Sequence, residues 1–287
     1  MQAQGESTIR SYNDKVAFIT GAAAGIGLGM AQAFAARGMK LGLADVDAAK
    51  LAEVQQRFAV QGHEVLVFAA DVANREELKR ATAELVAHFG ALHVVCANAG
   101  VGGYIGPLQE GADTDWDWVI DVNLKGTVNT VQAALPYLMK NPGQSHIVLT
   151  SSISGLRVYL PSRGQGMYNT SKFALVGLGE ALHADLHQLG VGVSILCPGV
   201  VNTDISNSGR NRQARYGGAF DMNEDFVLAK AAKNGTDPLK FGQWVLKAME
   251  RDQLYVITHP EDRPIVEARH ARILQAFDAC ESLTKPN

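Results

Sequence analysis

Cysteine is scarce in this chain, with Cys96, Cys197 and Cys280 the only three among 287 residues. An odd number at such wide spacing builds neither a disulfide framework nor a zinc site. Long Lys/Arg runs are missing too, and with a formal net charge of -3 the electrostatic footprint of a nucleic-acid or anionic-membrane binder is absent. What remains is a small-molecule partner. The chain has no internal repeat, no low-complexity tract and no Pro/Gly/Ser linker, so one domain over residues 1–287 is expected, near the upper size that one core supports. The polar stretch from Met1 to Lys15 lacks the apolar run of a secretory signal, which makes a cytoplasmic location the default.

Charge is also missing from Val16 to Ala36, a length that could span a bilayer. The pattern inside it argues for something else. A β-branched run comes first, Gly21, Gly25, Gly27 and Gly29 break it, and Ala-rich helical spacing follows, which reads as a strand, a tight turn and a helix.

Similar short apolar runs recur at Leu41 to Ala44, Val65 to Ala69, His93 to Ala97, His146 to Thr150 and Val193 to Leu196, with helical patterns between them. That alternation is the signature of βαβ units, hence of an α/β fold on a parallel sheet. Asn74 with Glu77 three residues on predicts a capping box ahead of a helix carrying Leu78, Ala81 and Leu85 on one face. Beyond Leu196 the rhythm stops. Residues 202–234 are polar and lie just past a strand end, where open α/β sheets bind ligands, so they read as a substrate lid, with a disordered surface loop as the alternative. A helix from Asp237 to Glu250, an apolar run from Leu254 to Thr258 and a C-terminal helix within 260–287 close the chain.

The turn Thr20-Gly21-Ala22-Ala23-Ala24-Gly25-Ile26-Gly27 opens directly into the first helix. A pyrophosphate needs close backbone approach and free amides, and glycines at a helix N-terminus supply both. Asp45 stands eighteen residues past Gly27, at the end of the second strand. A carboxylate there accepts hydrogen bonds from ribose hydroxyls and repels an added phosphate, at roughly 4 Å by on the order of 4 kcal/mol per unit charge before screening. With no Arg or Lys at Ala22 to Ala24 or at Val46, NAD is favoured over NADP. Asp71 with Val72 is a candidate adenine site, and Asn98-Ala99-Gly100 a candidate floor beneath the ribose; either pair of elements also reads as a plain turn.

Tyr168 and Lys172, four apart, share one helical face. A neighbouring ammonium together with oxidised nicotinamide favours the phenolate, which can take an alcohol proton. Lowering the phenol pKa by roughly three units takes about 4 kcal/mol, within reach of a close, partly desolvated cation.

These elements together resemble the short-chain dehydrogenases/reductases. Thr20 to Gly27 is similar to their TGxxxGIG turn and Asn98 to Gly100 to their NAG. Asn123, Ser152, Tyr168 with Lys172 as YxxxK, and Pro198-Gly199 follow in order. The resemblance covers roughly Lys15 to Thr203 and implies a doubly wound, Rossmann-type parallel sheet flanked by helices in a single domain. It implies a hydride transfer in which Ser152 hydrogen-bonds the substrate oxygen and Tyr168 gives or takes its proton. Lys172 would hold the nicotinamide ribose, Asn123 would anchor a water leading to Lys172, and Val201 and Thr203 would fix the carboxamide. It also implies a homotetramer or dimer packed through helices near Trp116 to Met139 and Tyr168 to Leu189.

Two positions depart from the family pattern. Ala97 stands where an Asn usually precedes the NAG, and the gap from Ser152 to Tyr168 is about three residues longer, through Ser162-Arg163-Gly164-Gln165. Ser151 and Ser154 therefore rival Ser152, which Gly155 favours by its distance. Expected pocket walls are Tyr104, Ile105, Ile153, Tyr159, Leu160, Met167 and Val200, which suit a bulky apolar or aromatic alcohol or ketone. Ala214-Arg215-Tyr216-Gly217 and Leu254 to Pro260 resemble segments of dehydrogenases acting on lignin aryl-ether dimers; an aryl alkanol or hydroxysteroid suits the same walls. A catalytically silent NAD-binding regulator and an epimerase or dehydratase sharing YxxxK are the alternative functions.

Overall fold

Seven strands are present among the residues described by the computed structural model, which are residue 9 and residues 11–158, 164–220 and 231–284. They are β1 (Val16–Thr20), β2 (Lys40–Asp45), β3 (Val65–Ala69), β4 (Val94–Ala97), β5 (Ser145–Thr150), β6 (Val191–Cys197) and β7 (Tyr255–Ile257). All pair in parallel, in the order β3-β2-β1-β4-β5-β6-β7. This is the doubly wound, Rossmann-type arrangement expected from the alternating runs. The central strands β1, β4, β5 and β6 are buried at every position because helices cover both faces, which is why they read as unbroken apolar runs.

The helices are α1 (Gly25–Ala35), α2 (Ala48–Val60), α3 (Arg75–Phe89), α4 (Asp113–Val119), α5 (Gly126–Leu138), α6 (Gly166–Leu186), α7 (Pro238–Glu250) and α8 (Arg263–Thr284). A π-helical turn, Ile120–Lys125, joins α4 to α5 and carries Asn123. None of the described helices is long and apolar enough to cross a membrane. The uncharged stretch from Val16 instead divides between β1 and α1.

The order of strand addition reverses between β1 and β4, which are parallel neighbours although β2 and β3 intervene in sequence. The connections leaving their carboxyl ends therefore run to opposite sides of the sheet and leave a crevice. The capping signal ahead of α3 is realised with a different return arm. Asn74 Oδ1 accepts from the amides of Glu76 and Glu77, but Glu77 Oε2 accepts from the amide of Asp71, not of Asn74. The cap thus also braces the turn after β3.

The insertion beyond β6 is closed at its base: Val201 pairs with Thr236, and the amide of Asn202 donates to Thr236 O at 3.0 Å. Its described parts, 202–220 and 231–234, include two 3-10 turns, Ile205–Asn211 and Ala214–Tyr216.

Candidate active site

The crevice at the carboxyl edge of the sheet is a cleft of about 560 Å³. At one end lies the turn between β1 and α1. Gly21 has φ +65°, and a Cβ on Gly27 would sit 2.1 Å from Gly21 O, so the turn closes only with hydrogen at that position. Asn98 laces the strand ends together: its Nδ2 donates to Thr20 O at 3.0 Å, and its Oδ1 accepts from the Thr150 hydroxyl at 3.0 Å. Thr203, after the Pro198-Gly199 turn, brings its methyl to 3.0 Å from where a Gly25 Cβ would stand.

Two carboxylates mark the same end. Asp45 accepts from the amide of Ala23 through Oδ2 and of Asp47 through Oδ1, each at 3.0 Å. Amide bonds hold the group in place while leaving lone pairs toward the cleft. Asp71 Oδ1 accepts from the Ala73 amide at 2.9 Å. Its Oδ2 takes Arg215 Nη2 at 2.6 Å and Gln213 Nε2 at 3.3 Å, both from the insertion.

At the other end Ser152, Tyr168 and Lys172 meet. Ser152 ends the extended chain after β5, where its Oγ accepts from the Ser154 amide at 3.1 Å and donates to Pro198 O at 3.4 Å, in the same cleft as Tyr168. Ser151 points elsewhere, donating to Lys172 O at 2.8 Å on α6. Ser152 thus lies beside the phenol, Ser151 braces the helix, and Ser154 contributes its amide.

Lys172 is 2% exposed, and its Nζ donates to Thr150 O at 2.9 Å and lies 5.5 Å from the Tyr168 ring centroid. Burial pushes its pKa down to about 8. Burial also raises the phenol of Tyr168, and the neighbouring Ser152 hydroxyl opposes that only in part. The side chains alone therefore keep Tyr168 protonated at neutral pH; the lowering expected from a tyrosine-lysine pair is outweighed by desolvation.

Asn123 is fully buried behind the cleft, its amide closed on Val101 N and O and on Ser171 Oγ at 2.8, 3.0 and 3.0 Å. Gly27 is likewise buried behind the turn. Gly21, Gly25, Ile26, Asp45, Asp71, Val72, Asn98, Ala99, Gly100, Ser152, Tyr168, Lys172, Val201 and Thr203 all line the cleft.

Of the expected substrate walls, Ile105, Ile153 and Val200 line it. Met167 does not: it is 1% exposed within the core, with Tyr104 packed against the same cluster. Tyr159 and Leu160 lie outside the described residues. The wall is more polar than expected. Arg157 pairs with Asp262, through Nε at 2.9 Å and Nη2 at 2.6 Å, both side chains being 15% exposed. His259 Nδ1 accepts from the amide of Gly199 at 3.0 Å and so holds the turn after β6. His259 follows the last strand, and the rule that strand carboxyl ends line the crevice would have found it. Arg157 and Asp262, 105 residues apart, carry no local signal. Among the described residues no cluster of His, Cys, Asp and Glu is arranged to hold a metal ion.

The family model described as short chain dehydrogenase matches residues 15–214. A CLA biosynthesis dehydrogenase/reductase from Lactiplantibacillus plantarum is 32% identical over 279 residues, covering 93% of this chain and 95% of that protein. A C alpha-dehydrogenase from a Sphingobium species is 32% identical over 278 residues, with coverage of 96% and 90%. A short chain dehydrogenase/reductase from Burkholderia phymatum, solved in complex with NAD, superposes with TM-score 0.87 at 33% identity over 93% of this chain and 97% of that one. Matched in sequence through the glycine turn, α6 and β6, and in structure over nearly its whole length, the chain belongs to the short-chain dehydrogenase family of oxidoreductases.

Proposed function

We propose that this protein is an NAD-dependent alcohol dehydrogenase/ketone reductase that interconverts a secondary alcohol and a ketone, with Tyr168 as the group that transfers the proton. The observation that carries this reading is the meeting of Ser152, Tyr168 and buried Lys172 in the same cleft as the glycine turn. The cleft suits a dinucleotide. A side chain at Gly27 would collide with Gly21 O, so the turn is shaped for close backbone approach, and Asp45 is pinned where ribose hydroxyls are expected. NAD, when bound, accepts or supplies the hydride.

The chain's own groups handle the proton. In the reducing direction the protonated phenol of Tyr168 gives its proton to the carbonyl oxygen while Ser152 donates a second hydrogen bond. In the oxidising direction the phenol must first ionise, and the Lys172 ammonium, charged below a pH of about 8, favours that ionisation. Oxidation is therefore expected to rise with pH from neutrality, because the phenol pKa is raised, and reduction to be favoured on the acid side.

For substrate we favour a bulky aryl secondary alcohol carrying further oxygen functions. Ile105, Ile153 and Val200 supply apolar wall, whereas Arg157, Asp262 and Asn169 supply polar wall. The likeness of residues 214–217 and 254–260 to lignin-active dehydrogenases supports the same choice. We take the working form to be a homo-oligomer, a reading supported by Ile273, Leu274 and Phe277, which α8 leaves 42%, 63% and 67% exposed. The test is absorbance at the NADH band with a panel of aryl, alicyclic and steroid secondary alcohols. NADH formation with the aryl members is the expected result; silence with every alcohol would favour a non-catalytic NAD-binding role.

A further inference from the structure

His259 stands just past β7 and lines the cleft together with Val200 and Asp262. Its ring is clamped. The Gly199 amide donates to Nδ1 at 3.0 Å, the Thr258 hydroxyl lies 2.8 Å from the same atom, and the Phe241 ring of α7 stacks on the imidazole with centroids 6.4 Å apart and planes 23° apart. A Cβ on Gly199 would come within 2.4 Å of the ring carbon Cγ, so the imidazole lies against bare backbone.

The same amide fixes the tautomer. A backbone N–H can only donate, so Nδ1 presents its lone pair and the ring's one N–H sits at Nε2. Nε2 has no partner among the described residues and, unlike Asn169 Oδ1, is not sealed from solvent. A fixed donor in the cleft wall is thus left for a bound molecule to meet. Its place relative to the reacting oxygen is fixed as well. Ser152 donates to Pro198 O at 3.4 Å, a long bond that a substrate oxygen easily replaces, while His259 receives the Gly199 N–H of that same peptide group. The peptide is planar and rigid, so it holds the Ser152 hydroxyl and His259 Nε2 at its two ends, roughly 11 Å apart at most.

We propose that His259 Nε2 donates a hydrogen bond to a second oxygen of the substrate, borne on a substituent of the carbinol, and so selects oxygenated alcohols over their plain hydrocarbon counterparts. The inference rests on the dehydrogenase reading above and names the group that reads the further oxygen.

The test is steady-state kinetics of the full-length protein with NAD on matched alcohols in which one oxygen replaces one methylene. The pairs are para-methoxy-α-methylbenzyl alcohol against its para-ethyl counterpart, and α-(methoxymethyl)benzyl alcohol against α-propylbenzyl alcohol. Wild type is expected to favour the ether of at least one pair about fivefold in kcat/KM, the worth of one neutral hydrogen bond. Two variants separate the nitrogens. His259→Asn keeps an acceptor for the Gly199 amide but has nothing at Nε2, and should lose most of that preference. His259→Gln gives up the acceptor but places an amide N–H near Nε2, and should retain it. No ether preference in wild type for either pair would overturn the proposal, whether or not the variants fold. So would a preference that survives in His259→Asn, or one lost equally in both variants, which would leave His259 a brace for the turn alone. If wild type forms no NADH with any of the alcohols, the dehydrogenase reading itself fails and takes this inference with it, an outcome distinct from turnover without preference.

Discussion

The two ends of the cleft are built on different plans. The end beside the glycine turn is held chiefly by backbone amides, as with Asp45 on Ala23 and Asp47, or Asp71 on Ala73, to which Arg215 and Gln213 of the insertion add side-chain bonds on Asp71. The substrate end is assembled from side chains far apart in sequence, as with Arg157 on Asp262 and His259 on Gly199. An amide-pinned end keeps its geometry whatever side chains surround it. An end made of paired loops changes when either loop changes, so one scaffold holds a constant cofactor while its substrate varies.

Removing the charge at the junction of the two ends should have the largest effect. Lys172→Met is expected to lower kcat by about 10²–10³ and to move the oxidation profile to higher pH, because the phenol of Tyr168 loses the cation that favours its ionised form. Steady-state kinetics across pH checks both, and an unmoved profile would leave Lys172 a merely structural role. Next comes the pinned end: Asp45→Ser with Val46→Arg is expected to raise the ratio of NADP to NAD use by on the order of a hundredfold, as repulsion gives way to attraction. That ratio of kcat/KM should change with little effect on the alcohol KM.

The smallest effect is expected at the paired loops. Arg157→Gln breaks a largely buried ion pair and should raise the alcohol KM several-fold and lower Tm by a few degrees, with the Kd for NADH unchanged. A changed NADH Kd would mean that the two ends are coupled and the contrast drawn here is too sharp.

This contrast also explains what could be read from the sequence. The runs at β1, β2, β4, β5 and β6 were legible because these strands are largely buried on both faces, and β3 kept an apolar run although it is a half-buried edge strand; β6 begins at Val191, ahead of the expected Val193, since Gly192 hides its start. Tyr168 and Lys172 were legible because a helix sets residues four apart on one face. Ser152 was legible only as one of three serines, and the choice needed the phenol beside it. Arg212 on Asp115 and Arg215 on Asp71 were not legible, because 97 and 144 residues separate the partners and only the sheet order brings them together. Met167 was misread as pocket wall: it precedes Tyr168 on α6, and the helical turn sends it into the core.

The central claim is that Tyr168 moves the proton while the other end of the cleft holds the cofactor independently. Measuring turnover and NADH affinity together in Tyr168→Phe tests it most directly. The account predicts turnover lowered by at least about a thousandfold with the NADH Kd within about twofold of wild type. Turnover near wild type, or a loss of activity that merely follows a loss of NADH binding, would contradict it.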